Sequence, residues 1–247
     1  MTALRTLSFG NGSLWGASWS AGSPETSLCA LGAGAETVIL PGVRPSENGT
    51  GDGDWRLDGD GVALIASPAG QLVDVPAVQD TVSGWDQLCR VTGSFGEHEV
   101  DCLGLRSAWA DGVELSRFES IRAVSVWFDP DEALALTAFR PRKGKGHEAD
   151  LLAASVIAAD RSAAAEDPRL STTYGADGWP SRAGLELWLS AGEDADSERQ
   201  FPRRASGEAI GARAQALAGE LELRAEPFRW HSRSRDGAGM YILARRQ

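Results

Sequence analysis

The chain has 247 residues, of which 42% are hydrophobic, enough to bury the core of one large all-β unit or of two domains. Its net charge of −11 repels phosphate and argues against general nucleic-acid binding or adhesion to an anionic membrane. No apolar run approaches the length of a membrane span, and the N-terminal residues lack the apolar core of an export signal. We therefore expect a cytoplasmic protein.

Cysteine and histidine residues form no recognisable metal or redox motif. The three cysteines (Cys29, Cys89 and Cys102) include no CxxC pair, so neither a disulfide framework nor a zinc knuckle is favoured. The histidines form no HxH or HExxH pair, and no GxSxG elbow or glycine-rich phosphate loop precedes a helical segment. We therefore expect no metal and no cofactor.

Period-two alternation of apolar residues predicts short strands along most of the chain. Gly, Pro, Asn or Asp separates them at intervals of about 8–15 residues, which is typical of sandwiches and barrels. The clearest hairpin is closed by an Asp-Pro-Asp-Glu turn after Phe128, because Pro presets φ there. The predicted strands are 13–19, 25–31, 35–40, 54–58, 61–67, 88–94, 97–104, 119–128, 132–140, 151–158, 183–189, 219–225 and 239–245.

Few segments depart from this β pattern. Residues 41–54 and the acidic run 190–202 are predicted loops. Residues 149–165 and 206–218 are rich in alanine, but helix propensity is a weak signal beside tertiary context. We predict a strand for most of 151–158 and leave 206–218 open between helix and strand. The predicted fold class is all-β with little helix.

Tryptophan is unusually frequent, with nine residues against two tyrosines. One interpretation is that the indole rings fill a core. The other is that several line a cavity, since they offer broad, rigid contact to flat or polyene-like ligands. The aromatic residues predicted to bind a ligand are Trp109, Trp127, Phe139, Trp188 and Tyr174.

Charged residues interrupt two stretches that otherwise read as buried. Because an unpaired buried charge is costly, such residues pair with each other or face a cavity. We consider Asp101 or Glu119 as an acid and Arg106 or Arg122 as an electrostatic stabiliser, with a structural salt bridge as the alternative. Successive side chains of a strand point to opposite faces, so Glu119 and Arg122 lie on opposite faces unless a bulge intervenes. This weakens the prediction of a direct pair between them.

The segment Asp86–Trp109, DQLCRVTGSFGEHEVDCLGLRSAW, resembles the middle of the two-domain lipocalin-like proteins related to hydroxyneurosporene synthase (carotenoid 1,2-hydratase) and AttH. The resemblance covers roughly residues 85–160. It implies two consecutive lipocalin-like antiparallel β-barrel domains, for which we predict the bounds 1–110 and 111–247. Ser107 and Ala108 stand where the family has Asp and His, so that acid does not carry over to this chain.

The resemblance also implies a hydrophobic pocket for an isoprenoid or polyketide-like molecule, and in some members cofactor-free hydration or cyclisation. We therefore predict binding of such a molecule in a Trp-rich barrel cavity, with or without that chemistry. The alternatives are a non-catalytic carrier and a protein-interaction module, the latter marked by an exposed apolar patch. The predicted partner is a hydrophobic small molecule, with no nucleic acid and no membrane.

Overall fold

A computed structural model describes residues 4–21, 24–47, 53–78, 82–109, 114–128, 131–144, 146–190 and 202–247. Within these ranges the regular structure is β-strand apart from three single 3₁₀ turns, so the all-β prediction is confirmed. No helix in the described ranges is long and apolar enough to cross a membrane.

The first ten strands form one antiparallel sheet, in the order β4-β3-β2-β1-β10-β9-β7-β6-β5, with β8 pairing with β9 outside this path. These strands are β1 (Leu4–Gly10), β2 (Leu14–Ala21), β3 (Ser27–Ala33), β4 (Glu36–Ile39), β5 (Ser46–Glu47), β6 (Trp55–Gly59), β7 (Val62–Pro68), β8 (Val73–Val78), β9 (Val82–Phe95) and β10 (His98–Trp109).

The next ten strands form a second antiparallel sheet, which repeats this order with every strand number raised by ten. The strands are β11 (Phe118–Phe128), β12 (Glu132–Pro141), β13 (Leu151–Ile157), β14 (Ala163–Ala164), β15 (Asp167–Tyr174), β16 (Pro180–Trp188), β17 (Arg203–Ala209), β18 (Ala214–Ala218), β19 (Leu221–Ser232) and β20 (Arg235–Arg246). The two halves of the chain therefore share one topology.

Several local predictions can be compared with these strands. The β11–β12 hairpin and strand β13 are confirmed. The segment 206–218, which the sequence left undecided between helix and strand, contributes to strands β17 and β18. In β18 the alternating alanines pack between the sheets while Leu217 faces solvent. The predicted domain boundary at residue 110 and most of the acidic run 190–202 lie outside the described residues, and the division at 110/111 stays a prediction.

Three hydrophobic clusters stabilise the molecule. One lies on the inner face of the first curled sheet and one on the inner face of the second. The third lies between the sheets and takes residues from both. Alternation sorts the side chains of a strand between these clusters: in β11, Ile121, Ala123 and Trp127 pack between the sheets, whereas Val124 and Val126 point inward.

Candidate functional site

A cleft of about 910 Å³ lies where the two sheets meet, and both sheets line it. Its apolar wall combines Phe9 and Trp15 from the first sheet with Trp127, Phe228 and Met240 from the second. The volume lies in the range of small-molecule sites, which are typically lined by aromatic and aliphatic groups with a few polar ones. This cleft is the candidate functional site.

The β1–β2 turn brings the first sheet to the cleft. Trp127 of β11 donates a hydrogen bond from Nε1 to the carbonyl oxygen of Gly10, at 3.0 Å and away from solvent. A Cβ at Gly10 would lie only 2.6 Å from the carbonyl oxygen of Leu14, so this close turn needs glycine. The side chain of Asn11 accepts backbone N–H groups of Ser13 and Leu14 at 3.3 and 3.2 Å and holds the turn. The turn thereby fixes the position of the Trp127 ring.

Strand β20 presents mostly backbone to the cleft. Gly237, Ala238 and Gly239 line it in succession. A Cβ at Gly239 would collide with the carbonyl oxygen of Ser125 on the neighbouring strand, so a side chain is excluded there. The small residues leave the space that larger side chains would fill.

Charged side chains lie at the edge of the cleft formed by the first sheet. Arg90 binds Asp101 through two hydrogen bonds of 2.6 and 2.7 Å. The hydrogen bond from Arg90 is the main reason that the pKa of Asp101 lies below its usual range. Asp101 is therefore ionised at neutral pH and is a poor proton donor, contrary to the role expected of an acid. Nearby, burial raises the pKa of Cys102 to about 12, so this thiol stays protonated and unreactive.

The second sheet contributes Arg229 and Asp236 to the cleft. Asp236 lies across the β19–β20 hairpin from His231, whose Nδ1 is 3.0 Å from the Asp236 carboxylate. This hydrogen bond is the main cause of the raised pKa of His231. The cleft thus has polar groups at its rim and an apolar interior, an arrangement suited to a ligand with both characters.

Of the predicted catalytic residues, only Asp101 lines the cleft. Arg106 is fully buried inside the first sheet, where it donates to the side-chain oxygen of Gln87 at 3.0 Å and to the carbonyl oxygen of Gly53. Its guanidinium lies 5.5 Å from the ring centres of both Trp55 and Trp85. Its surroundings are those of a structural cation.

Glu119 and Arg122 do not pair with each other. Arg122 points into the second sheet and forms a buried ion pair with Asp150. Glu119 is exposed and lines a separate pocket at the end of that sheet. The parity argument for opposite faces agrees with this arrangement, and a shift in register between Phe118 and Ser120 precedes the regular part of the strand.

The predicted aromatic residues lie in three different places. Trp127 lines the cleft. Trp109 and Phe139 contact each other edge to face in the core between the sheets, with ring centres 5.3 Å apart. Trp188 is half-buried and donates to Glu186, and Tyr174 is 37% exposed. The predicted ligand-binding aromatic residues therefore do not line one common cavity.

Sequence reasoning missed Phe9, Trp15, Phe228 and Met240. Phe9 and Phe228 lie outside the predicted strands, whereas Trp15 and Met240 lie in predicted strands but were not assigned to ligand binding. The available signal was the pair of glycine-flanked motifs, GNG at 10–12 and GAG at 237–239, each beside aromatic residues. Nothing in one sequence shows that two motifs more than 200 positions apart meet at one cleft.

Comparisons with known proteins identify the fold. No family model and no curated protein matches the sequence. Among solved structures, CghA with Sch210972 matches with a TM-score of 0.58 and 12% identity over 100% of this chain and 89% of that chain. A putative AttH (NE1406) from Nitrosomonas europaea matches with a TM-score of 0.60 and 10% identity over 98% and 91%.

Kievitone hydratase from Nectria haematococca is a further match, with a TM-score of 0.56 and 10% identity over 98% of this chain and 87% of that chain. These likenesses span both sheets rather than one. The chain therefore has the two-sheet all-β fold of these proteins along nearly its whole length, with only 10–12% sequence identity to them.

Proposed function

We propose that this protein binds a hydrophobic small molecule of isoprenoid or polyketide-like type in the cleft between its two sheets. The observation that carries the proposal is the cleft itself, which joins an aromatic wall to a glycine-lined strand and to charged residues at the rim. Aromatic rings bind flat or polyene-like carbon skeletons, and the rim accommodates a polar end group.

Two of the structural neighbours support the binding of a small molecule. One of them is described as a complex with the small molecule Sch210972, and another is named a hydratase. Because identity is near 10%, these names support the proposal only through the shared fold.

Binding without catalysis is the form of the function that the cleft supports best. Hydration or cyclisation without a cofactor needs a proton donor at the ligand, and Asp101 is held in its charged form by Arg90. His231, which forms a hydrogen bond with the cleft residue Asp236, has a raised pKa. A hydratase or cyclase using that imidazolium is the second candidate function.

Tryptophan fluorescence tests the proposal. The purified protein is titrated with a panel of polyenes, fatty acids and aromatic polyketides, and saturable quenching at micromolar ligand is expected. Trp127→Phe removes the fluorescent indole from the cleft wall and should reduce the quenching amplitude. Trp188→Phe is the matched control, because Trp188 lies outside the cleft and should leave the response unchanged.

The outcomes separate the candidate functions. Quenching without any change in the ligand supports a carrier. Turnover of the bound ligand that is lost in His231→Gln supports the enzyme. An equal response in Trp127→Phe and Trp188→Phe would place the ligand elsewhere, and no response to any compound would contradict the proposal.

A further inference from the structure

The inner face of the second sheet carries polar side chains at one end, away from the cleft. Strand register places Ser120, Arg140 and Arg245 side by side in the outermost row, and Arg245 faces Glu222 on the next strand. These four residues line a pocket of about 680 Å³ that shares no lining residue with the cleft. Since residues two apart on a strand share a face, Arg122 lies one row further inward than Ser120.

Arg122 has more hydrogen-bonding capacity than its described neighbours use. Its side chain is 3% exposed, and its Nη2 group pairs with the Asp150 carboxylate. The Nε and Nη1 groups find no hydrogen-bond partner among the described residues. A buried donor without a partner costs about 1–3 kcal/mol, and more when charged, so natural proteins supply a partner almost everywhere. The missing acceptor must come from outside the described chain.

The local charge favours a negative acceptor. Asp150 is 2% exposed and is shared between Arg122 and Arg140, whose Nε lies 2.8 Å from Asp150 Oδ1. His147 also approaches this carboxylate, at 3.4 Å. One carboxylate therefore faces two guanidinium groups, and a positive charge in these dry surroundings attracts an anion strongly.

A second group of donors lies close to Arg122. Tyr241 is two residues from Leu243, the cross-strand neighbour of Arg122, and points to the same inner face. Its hydroxyl lies 3.1 Å from Thr172 Oγ1 and 3.5 Å from the Tyr174 hydroxyl. Burial raises the pKa of Tyr241, so the phenol stays neutral and able to donate.

We propose that this end of the second sheet binds a small oxyanion, a carboxylate or a phosphate, through the free Nε and Nη1 donors of Arg122. Arg140 stands at the entrance, because it lines the outer pocket and also holds Asp150. The site goes beyond the proposed function, since its outer pocket shares no lining residue with the cleft and it takes a ligand of different chemistry.

Nuclear magnetic resonance of arginine Nε–H groups tests this site in the wild-type protein. Sodium acetate and sodium phosphate are titrated separately, with sodium chloride keeping the ionic strength constant. One of the two anions should shift the Arg122 Nε–H resonance in a saturable way, and the two series show which anion it is. The resonance is assigned by its disappearance in Arg122→Lys. In that variant affinity is followed at the Arg140 Nε–H resonance and should fall by about tenfold or more.

The matched control is Arg182→Lys, because Arg182 pairs with Glu208 on the surface and should not alter binding. Arg140→Gln, at the partly exposed entrance, should weaken binding and gives a second variant if Arg122→Lys does not fold. The proposal would be overturned by the absence of a saturable shift with either anion, which would assign the acceptor to buried water, or by unchanged affinity in both site variants.

Discussion

The two sheets share one strand order but solve the burial of polar groups differently. The two sheets can be aligned by strand register so that Gly104 of β10 matches Gly239 of β20, since each pairs with the first strand of its sheet. In this alignment Arg106 is equivalent to Tyr241. In the first sheet the buried cation is bound by neutral partners, an amide oxygen and two indole rings. In the second sheet the buried cation Arg122 is instead bound by a carboxylate, that of Asp150.

The faces that meet between the sheets also differ. Among the described residues each sheet contributes three large rings to this core, but the first sheet adds three alanines and the second sheet adds eight. By the same alignment, Trp109 corresponds to Ala244. Large side chains against small ones allow two related sheets to pack closely, since two equally bulky faces would leave gaps or clash. Topology is therefore conserved between the halves while side-chain volume and charge are not.

The largest effect is expected at the interface. Trp109→Ala should lower the free energy of unfolding by about 3–5 kcal/mol, because the ring is buried against Phe139 and leaves a cavity. The measurement is urea denaturation. Trp188→Ala, at a half-buried site outside the interface, should cost about 1 kcal/mol. Equal losses in the two variants would show that a ring buried between the sheets contributes no more to stability than a half-buried ring outside the interface.

Removing the cation from the first sheet comes next. Arg106→Met should cost about 3–4 kcal/mol in urea denaturation, because it leaves the side-chain oxygen of Gln87 and the carbonyl of Gly53 without a donor. Adding Gln87→Leu should recover part of this loss. The equivalent change in the second sheet, Tyr241→Phe, should cost only about 1 kcal/mol, and a larger loss there would contradict the comparison.

The buried carboxyl group of Asp86 should make the stability of the protein depend on pH. Burial raises the pKa of Asp86 from 3.8 to about 6, although Ser107 and Ser155 donate to it. The folded protein then holds an extra proton between these values, so stability falls as pH rises through that window. By the same alignment, Ala225 of the second sheet is equivalent to Asp86 of the first, and Ala30 of the first sheet is equivalent to Ser155 of the second. The symmetry-equivalent pair is therefore two alanines, which do not titrate.

Denaturation between pH 4 and pH 7 measures this difference. Relative to Asp86→Asn, the wild-type protein should lose about 3 kcal/mol as pH rises from below 4 to above 6. Asp101→Asn serves as the control, because the pKa of that exposed carboxyl is lowered and its charge is not buried. Parallel curves for the wild type and Asp86→Asn would refute the assignment.

The smallest effect is expected at the contact that joins the sheets beside the cleft. Trp127→Phe keeps a ring in place but removes the hydrogen bond to the carbonyl of Gly10, which should cost about 1 kcal/mol in urea denaturation. A loss of 3 kcal/mol or more would mean that the indole is a major support of the interface rather than a wall of the cleft.

The fold was predictable to a greater extent than the site. Alternation and turn residues correctly predicted an all-β chain and the β11–β12 hairpin, because these signals are local. Strand β1 escaped prediction, since Thr6 and Ser8 are buried polar residues that interrupt the apolar pattern. Strand β15 also escaped, because most of its residues face solvent.

The site depends on contacts that local patterns do not encode. Sequence singled out Asp101 and Trp127 individually, but nothing in either segment shows that they share a cleft. Arg122 was correctly recognised as a charge in a buried strand, yet its partner Asp150 lies 28 positions further along the chain. Glu119, the nearer carboxylate in sequence, is the wrong partner because a strand alternates its faces.

The most direct test of the proposed cleft is to fill it and measure ligand affinity. Ala238 lines the cleft beside Trp127, its neighbour on the adjacent strand, so Ala238→Phe should occupy the space that a ligand needs. The control is Ala63→Phe, at an exposed position on β7 outside the cleft. For the tightest ligand found by fluorescence, we predict that calorimetry shows affinity at least about tenfold weaker in Ala238→Phe and unchanged in Ala63→Phe. Undiminished affinity in Ala238→Phe would contradict binding between the sheets.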